Sequence, residues 1–375
     1  MNPLLKLIEY GQSFWLDNLS RKMITNGMLK KRVIEQGLRG VTSNPTIFNN
    51  AISKSSDYDT QIEMLVRNGK SVAEIYQALV VKDVQDACDI LGSVYKQSNG
   101  LDGYVSLEVS PYLARHTLET MEEARRLFKA VNRPNCMIKI PGTVEGVPAI
   151  EQMIYEGINV NVTLLFSIQN YEAVAKAYIR ALERRVAEKK EVNSVASVAS
   201  FFVSRIDVLV DQLLYHRILP GKDHNTTQQA KSLLGKLAVA SGKLAYQSYK
   251  KIFSGVKWEN LAQKNARVQR PLWASTSTKN PDYYDACYVE PLIGKNTVNT
   301  MPDDTIEAFA DHGKIVEDAV ERDIEKARKS FEMVEKLGIS MNYVTKRLED
   351  EGIQKFIDPF NVLLDSIAQK RERFL

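Results

Sequence analysis

Eight short apolar or β-branched runs alternate with longer helical stretches along this 375-residue chain. Such alternation predicts an α/β fold of parallel βα units, here a (β/α)8 TIM barrel with helical insertions and a helical C-terminal tail. The count of eight matches a closed barrel, and the length exceeds the roughly 250 residues of a plain one, which leaves room for insertions. No internal repeat at a fixed period points to a solenoid or propeller. The expectation is one barrel domain over residues 1–375, with insertions at about 49–102 and 207–269.

The expected strands are Gln12–Leu16 (QSFWL), Gly40–Ser43 (GVTS), Tyr104–Val109 (YVSLEV), Cys136–Ile140 (CMIKI), Ile158–Leu164 (INVNVTL), Val195–Phe202 (VASVASFF), Leu272–Ser275 (LWAS) and Thr297–Thr300 (TVNT). Between them, Met28–Gln36 reads as a helix with Asn26 available to cap its start and Gly37 to end it. Glu119–Val131 carries an apolar stripe and an acidic first turn. Asn170–Ala187 is long and amphipathic. The two long connections each read as about two helices, with His216–Gln229 (HRILPGKDHNTTQQ) as an exposed loop. Residues 318–374 read mostly as helix, with Ser340 as an N-cap and Gly352 interrupting the pattern before a final helix.

Composition narrows the class. Charged residues are 26% and apolar residues 44%, close to soluble globular averages, which excludes a disordered, collagen-like or disulfide-scaffold chain. The net charge of +4 is too small to argue for nucleic acid and suits an anionic small molecule. Cys88, Cys136 and Cys287 are far apart and form no CxxC or Cys/His cluster, so reduced thiols are expected. The N-terminal stretch is interrupted by Lys6 and Glu9 and does not read as a signal peptide. No run of about 18 apolar residues suggests a membrane span. A cytoplasmic protein is expected. The P-loop, GxGxxG, HExxH and EF-hand patterns are absent, and the four histidines do not cluster. No metal and no cofactor is therefore expected.

In a barrel the chemistry belongs at the C-terminal ends of the strands. Lys139, in Cys-Met-Ile-Lys-Ile-Pro, stands on an expected strand. Burial there favours a neutral amine, which attacks carbonyl carbon to form a Schiff base; otherwise it is a strand-end lysine with its ammonium in water. Glu108 sits between Leu107 and Val109 and is a proton-transfer group or a paired structural carboxylate. Asp17 follows Trp15-Leu16; a helix N-cap is its plainer reading. Asn44 before Pro45 reads most simply as turn initiation. Asn159, Asn161 and Thr163 share one strand face. They and Ser200 bind a polyhydroxylated substrate or satisfy one another. Arg205 holds a phosphate bidentately or pairs with Asp207 or another carboxylate. An amine, proton-transfer groups and hydroxyl binders on successive strands are what an aldol enzyme without a cofactor needs.

These residues sit in segments that resemble transaldolase, in the bacterial branch with the longer chain. The matching segments are Gly11–Arg21, Gly40–Phe48, Val105–Pro111, Met137–Thr143, Gly157–Ser167, Ser197–Asp207 and Arg270–Pro281, continuing through Tyr288–Gly294, Thr297–Pro302 and the tail. The resemblance implies that Lys139 is the Schiff-base lysine. It implies that Glu108, held with Thr163, moves protons through a water, and that Asp17 is the acid/base on the substrate C4 hydroxyl. Asn44 and Asn161 would bind the dihydroxyacetone portion, with Thr42, Ser200 and Phe202 lining the site and Arg205 anchoring phosphate. Shorter relatives carry an arginine just after strand seven as a second phosphate contact. This chain reads Ala-Ser-Thr-Ser-Thr-Lys there, leaving Lys279 or hydroxyls such as Ser275 to substitute.

The implied activity is transfer of a dihydroxyacetone unit from a ketose phosphate, such as sedoheptulose 7-phosphate or fructose 6-phosphate, to glyceraldehyde 3-phosphate or erythrose 4-phosphate. The expected partners are thus sugar phosphates. The alternative is a fructose 6-phosphate aldolase that releases free dihydroxyacetone. That branch typically places glutamine and tyrosine where this chain has Glu108 and Phe202, so transfer is favoured. The two insertions would cover the active site or form a subunit interface, such as that of a homodimer.

Overall fold

Each of the eight runs forms a strand in the computed structural model, which describes residues 2–218 and 223–375. The strands are β1 (Gln12–Leu16), β2 (Gly40–Val41), β3 (Tyr104–Glu108), β4 (Cys136–Pro141), β5 (Val160–Leu165), β6 (Ser197–Phe202), β7 (Arg270–Ala274) and β8 (Thr297–Met301). They pair in parallel in chain order and β8 closes on β1. Every strand residue is buried, as expected for strands packed on one side by one another and on the other by helices. The register sets Glu108 beside Lys139 and Lys139 beside Asn161. A row of polar side chains thus crosses β3, β4 and β5 on one face.

Several boundaries differ from the sequence reading. β2 stops at Val41; beyond it the Thr42 hydroxyl donates to Asp17, the Ser43 hydroxyl donates to the Ser106 carbonyl, and Asn44 caps the following helix. β5 starts at Val160 and runs to Leu165, with an irregular register against β6 and Leu164 at φ 58°. A branched side chain in the left-handed region is sterically costly and needs its surroundings to hold it. β7 starts two residues early, at Arg270.

The connection after β2 carries three helices rather than two, Pro45–Ser53, Asp59–Arg67 and Val72–Gln97. The connection after β6 carries four, Ser204–Ile218, His224–Leu233, Leu237–Ile252 and Gly255–Ala262. The expected loop at 216–229 is therefore corrected at both ends, while 219–222 lie outside the described residues. Asp223 caps the second of these helices through the Thr226 amide. Its apolar anchors, Ala230 and Leu233, fall just beyond the polar window that suggested a loop. The helix Met28–Gln36 has the expected ends: Asn26 accepts from the Met28 amide, and Gly37 closes it at φ 72°.

The largest departure is the tail. Ser340 caps the helix as expected, but Met341–Glu372 is one unbroken helix that runs through Gly352 and Pro359. At 1.5 Å per residue it is about 48 Å long. Gly352 is a contact residue, not a break, since a Cβ there would sit 3.0 Å from the Leu164 side chain. The helix is tied to the loops after β5, β3 and β2 in turn. Asn170 donates to Glu349 at 3.0 Å, the Tyr112 hydroxyl donates to Asn361 at 2.6 Å, and Lys370 donates to the Ser55 carbonyl and to Asp59 at 2.6 Å. It therefore lies across the C-terminal face of the barrel. The opposite end is closed by the buried pair Arg270–Asp102 at 2.7 Å, with Ser13 and Trp15 also donating to Asp102.

Candidate active site

A cavity of about 200 Å³ opens at the C-terminal ends of the strands. Asp17, Thr42, Asn44, Lys139, Ser200, Phe202, Arg205, Ser275 and Lys279 all line it. Glu108, Asn161 and Thr163 are buried in strands β3 and β5 that flank Lys139. Residues more than 250 positions apart in sequence are thus gathered at one end of the barrel.

Lys139 is 4% exposed and Glu108 6%. The amine lies 3.4 Å from Glu108 Oε2 and donates to the Ser43 carbonyl at 3.1 Å. Burial pushes the Glu108 carboxyl up to about 7; the Lys139 charge opposes this and the Asp17 charge adds to it. A carboxyl poised near neutrality can both give and take a proton. Among the described residues, neither Glu108 oxygen accepts a hydrogen bond, and the buried Thr163 hydroxyl finds no partner. Buried polar atoms are rarely left so, and this pair suits a bound water or substrate hydroxyl.

Asp17 does not cap a helix. Ser20 does that, accepting from the Met23 amide, and Asp17 instead accepts a 2.7 Å hydrogen bond from Thr42. The Thr42 hydroxyl also meets the Thr300 hydroxyl at 2.7 Å. Because Thr42 has one proton and gives it to the carboxylate, Thr300 is the donor of that second bond. Burial raises the Asp17 carboxyl above its ordinary value, while Lys139, the Thr42 bond, Arg205 and Lys279 pull it back.

The polar row on β5 divides. Asn161 accepts from the Ser200 hydroxyl at 2.7 Å and donates to Ser106 at 2.9 Å, so these side chains satisfy one another around the cavity wall. Asn159 turns to the backbone of Pro134, Cys136 and Ala196 and fastens strand starts. Asn44 combines two places: its side chain accepts from the Ile47 amide, and it lines the cavity.

Arg205 does not pair with Asp207, whose carboxylate accepts from the Ala238 amide and the Tyr288 hydroxyl. The Arg205 guanidinium lies 5.3 Å from the Phe202 ring centre, and its Nη1 is buried with no hydrogen-bond partner among the described residues. It stands in the first turn of the helix Ser204–Ile218, where backbone N–H groups also favour an anion. Across from it, Ser275 sits at φ 55° and its hydroxyl meets that of Ser204 at 3.0 Å. Lys279, on the same segment, donates to Ser277; burial and the Arg205 charge hold its ammonium below the usual value. Two cations and several hydroxyls thus line the cavity together with the Lys139 amine and Asp17.

The sequence reading did not include Ala274, Ser277, Thr300, Pro302 or Phe356, which also line the cavity. Thr300 was accessible as a polar residue at the end of β8. Phe356 carried no signal, because only the path of the tail helix brings it there. Among the described residues, no three His, Cys, Asp or Glu side chains gather as metal ligands, and no helix is long and apolar enough to cross a membrane.

The family model for transaldolase/fructose-6-phosphate aldolase matches residues 14–367. The chain belongs to that family. Among its relatives are the transaldolase of Trichodesmium erythraeum, 48% identical over 98% of this chain and 97% of that protein, and transaldolase 2 of Nostoc sp., 50% identical over 99% and 98%. The transaldolase of Thermobifida fusca is 45% identical over 98% of both. At the C-terminal end of the barrel the buried Lys139, Asp17 and the cations Arg205 and Lys279 line one cavity, with Glu108 buried beside Lys139.

Proposed function

We infer that this chain is a transaldolase, a transferase that moves a three-carbon ketone unit between sugar phosphates through a Schiff base on Lys139. The observation that carries the reading is the buried Lys139 amine in the cavity wall, 3.4 Å from Glu108 and facing the same space as Asp17 and Arg205. Full-length similarity to proteins named transaldolase supports it. In this reading Lys139 attacks the ketone of a ketose phosphate such as fructose 6-phosphate. Glu108, with Thr163 and a water, protonates the carbinolamine hydroxyl so that it leaves as water. Asp17 then takes the C4 hydroxyl proton and the C3–C4 bond breaks, its electrons passing into the iminium. The iminium is the electron sink, so the scheme requires no metal.

An aldose phosphate acceptor replaces the departing one. The enamine carbon adds to its aldehyde, Asp17 returns a proton to the new hydroxyl, and water frees the product from Lys139. Asn44 and Asn161 hold the dihydroxyacetone portion, Thr42 and Ser200 line it, and Arg205 with Ser275 and Lys279 receives the phosphate. Lys279 would bind as a point charge where an arginine would bind as a fork. The whole chain acts as one barrel domain, in the cytoplasm, on soluble sugar phosphates.

Product analysis with and without acceptor tests the reading. Fructose 6-phosphate with erythrose 4-phosphate should yield sedoheptulose 7-phosphate. Fructose 6-phosphate alone should release dihydroxyacetone at less than a tenth of the transfer rate. Sustained release at the transfer rate without acceptor would make the chain an aldolase.

A further inference from the structure

The tail helix Met341–Glu372 lies over the mouth of the barrel, tied to the connections after β5, β3 and β2. Glu349 is buried in it and held by three partners: Asn170 at 3.0 Å, Lys346 at 3.1 Å and Arg115 at 3.6 Å. Arg115 also pairs with Asp350 on the next position of the helix. Three residues on from Glu349, Gly352 packs against Leu164 and Phe166, and the Phe166 ring meets that of Phe202 at a tilt of 46° with centres 5.2 Å apart. Four residues on again is Phe356. The spacings of three and four put Glu349, Gly352 and Phe356 on one helix face, the face turned to the barrel. Phe356 is 4% exposed, lines the cavity, and its ring centre is 5.7 Å from the Lys139 amine.

We propose that Phe356 is a specificity-determining residue: its ring roofs the nitrogen of Lys139, so that the bound three-carbon unit is passed to an acceptor rather than released. This rests on the Schiff-base reading of Lys139. Release and transfer diverge at the enamine. In release, the nucleophilic enamine carbon takes a proton, and one water hydrolyses the resulting iminium to dihydroxyacetone and free lysine. In transfer, the same carbon bonds to the aldehyde carbon of an acceptor, the oxygen takes a proton, and one water hydrolyses the iminium to the new ketose phosphate. Both routes consume one water, so the branch is decided by whether the enamine carbon meets a proton or an aldehyde first. An apolar ring over the nitrogen keeps bulk water and its protons from that carbon. The ring also lies within the roughly 6 Å at which an aromatic face attracts a cation, which suits it to the ammonium and to the iminium alike. The polar anchors at Glu349 and the close contact at Gly352 fix the height at which the ring stands.

The test measures the ratio of dihydroxyacetone released without acceptor to product formed with saturating acceptor, for wild type, Phe356→Leu and Phe356→Ala. Borohydride trapping on Lys139 is measured for all three. Phe356→Leu keeps an apolar side chain and tests the roof should the alanine variant unfold. The expected result is trapping in every folded variant, with the release-to-transfer ratio raised about threefold by leucine and tenfold or more by alanine. A merely structural role would lower both rates together and leave the ratio unchanged. An unchanged ratio in the folded variants, with the Lys139 adduct intact, overturns the inference alone. Absence of the adduct in wild type overturns the Schiff-base reading instead.

Discussion

Replacing Thr42 by valine removes one hydroxyl and keeps the shape of the side chain. In the native site that hydroxyl gives Asp17 its one side-chain hydrogen bond, at 2.7 Å, and accepts from Thr300 at the same distance. Asp17 is already raised by burial, and the Thr42 bond is among the interactions that favour its ionised form. A hydrogen bond to a charged group contributes about 1.5–3 kcal/mol. Loss of the bond therefore costs the ionised form about that much, or about 10- to 100-fold in the fraction of active base wherever Asp17 titrates. The base must be ionised to accept the C4 hydroxyl proton. The acid limb of kcat/KM should thus move to higher pH, and the rate on that limb should fall by that factor. Total borohydride-trapped adduct on Lys139, the six-carbon and three-carbon forms summed, should be little changed, because Lys139 and Glu108 are untouched. The assay is the pH profile of transfer from fructose 6-phosphate to erythrose 4-phosphate, with trapping in parallel. An acid limb unmoved in Thr42→Val, with the protein folded, would refute the assignment of Asp17 as the base.

Glu108→Gln should lower kcat by 10²- to 10⁴-fold, the usual contribution of a general acid–base group. With its pKa raised to about 7, Glu108 holds its proton below that pH and loses it above. Protonated Glu108 assists departure of water from the carbinolamine, so the wild-type kcat should decline as pH rises through about 7 and the glutamine variant should show no such limb. Arg205→Lys keeps the charge and loses the planar fork. Steady-state kinetics should show KM for fructose 6-phosphate raised about tenfold with kcat within a few-fold, and an unchanged KM would remove Arg205 from the phosphate site.

The barrel was legible because all eight strands are buried on both faces and so read as short apolar or β-branched runs. Of the polar intrusions into those runs, Lys139 in β4 lines the cavity, and Asn161 and Thr163 in β5 are buried on the neighbouring strand. Three simpler local readings failed for the same physical reason. Asp17 was available as a cap, Arg205 as a partner for Asp207, and Gly352 as a helix break. In each case a residue distant in sequence decides the outcome: Thr42 for Asp17, Ala238 and Tyr288 for Asp207, Leu164 for Gly352. Asn44 caps its helix as the local reading expects and also lines the cavity, since a side chain can do both. Phe356 lay beyond any pattern in the sequence. Its place over Lys139 follows from an unbroken helix laid across the barrel mouth, and the interruption expected at Gly352 would have hidden that path.

Reduction of the protein with borohydride in the presence of fructose 6-phosphate, followed by peptide mapping, tests the central claim most directly. A three-carbon adduct on Lys139 is the predicted result, and it would report Schiff-base formation and C3–C4 cleavage together. Folded protein that binds the sugar phosphate but carries no adduct at Lys139 would contradict the account and leave the buried lysine a structural partner of Glu108.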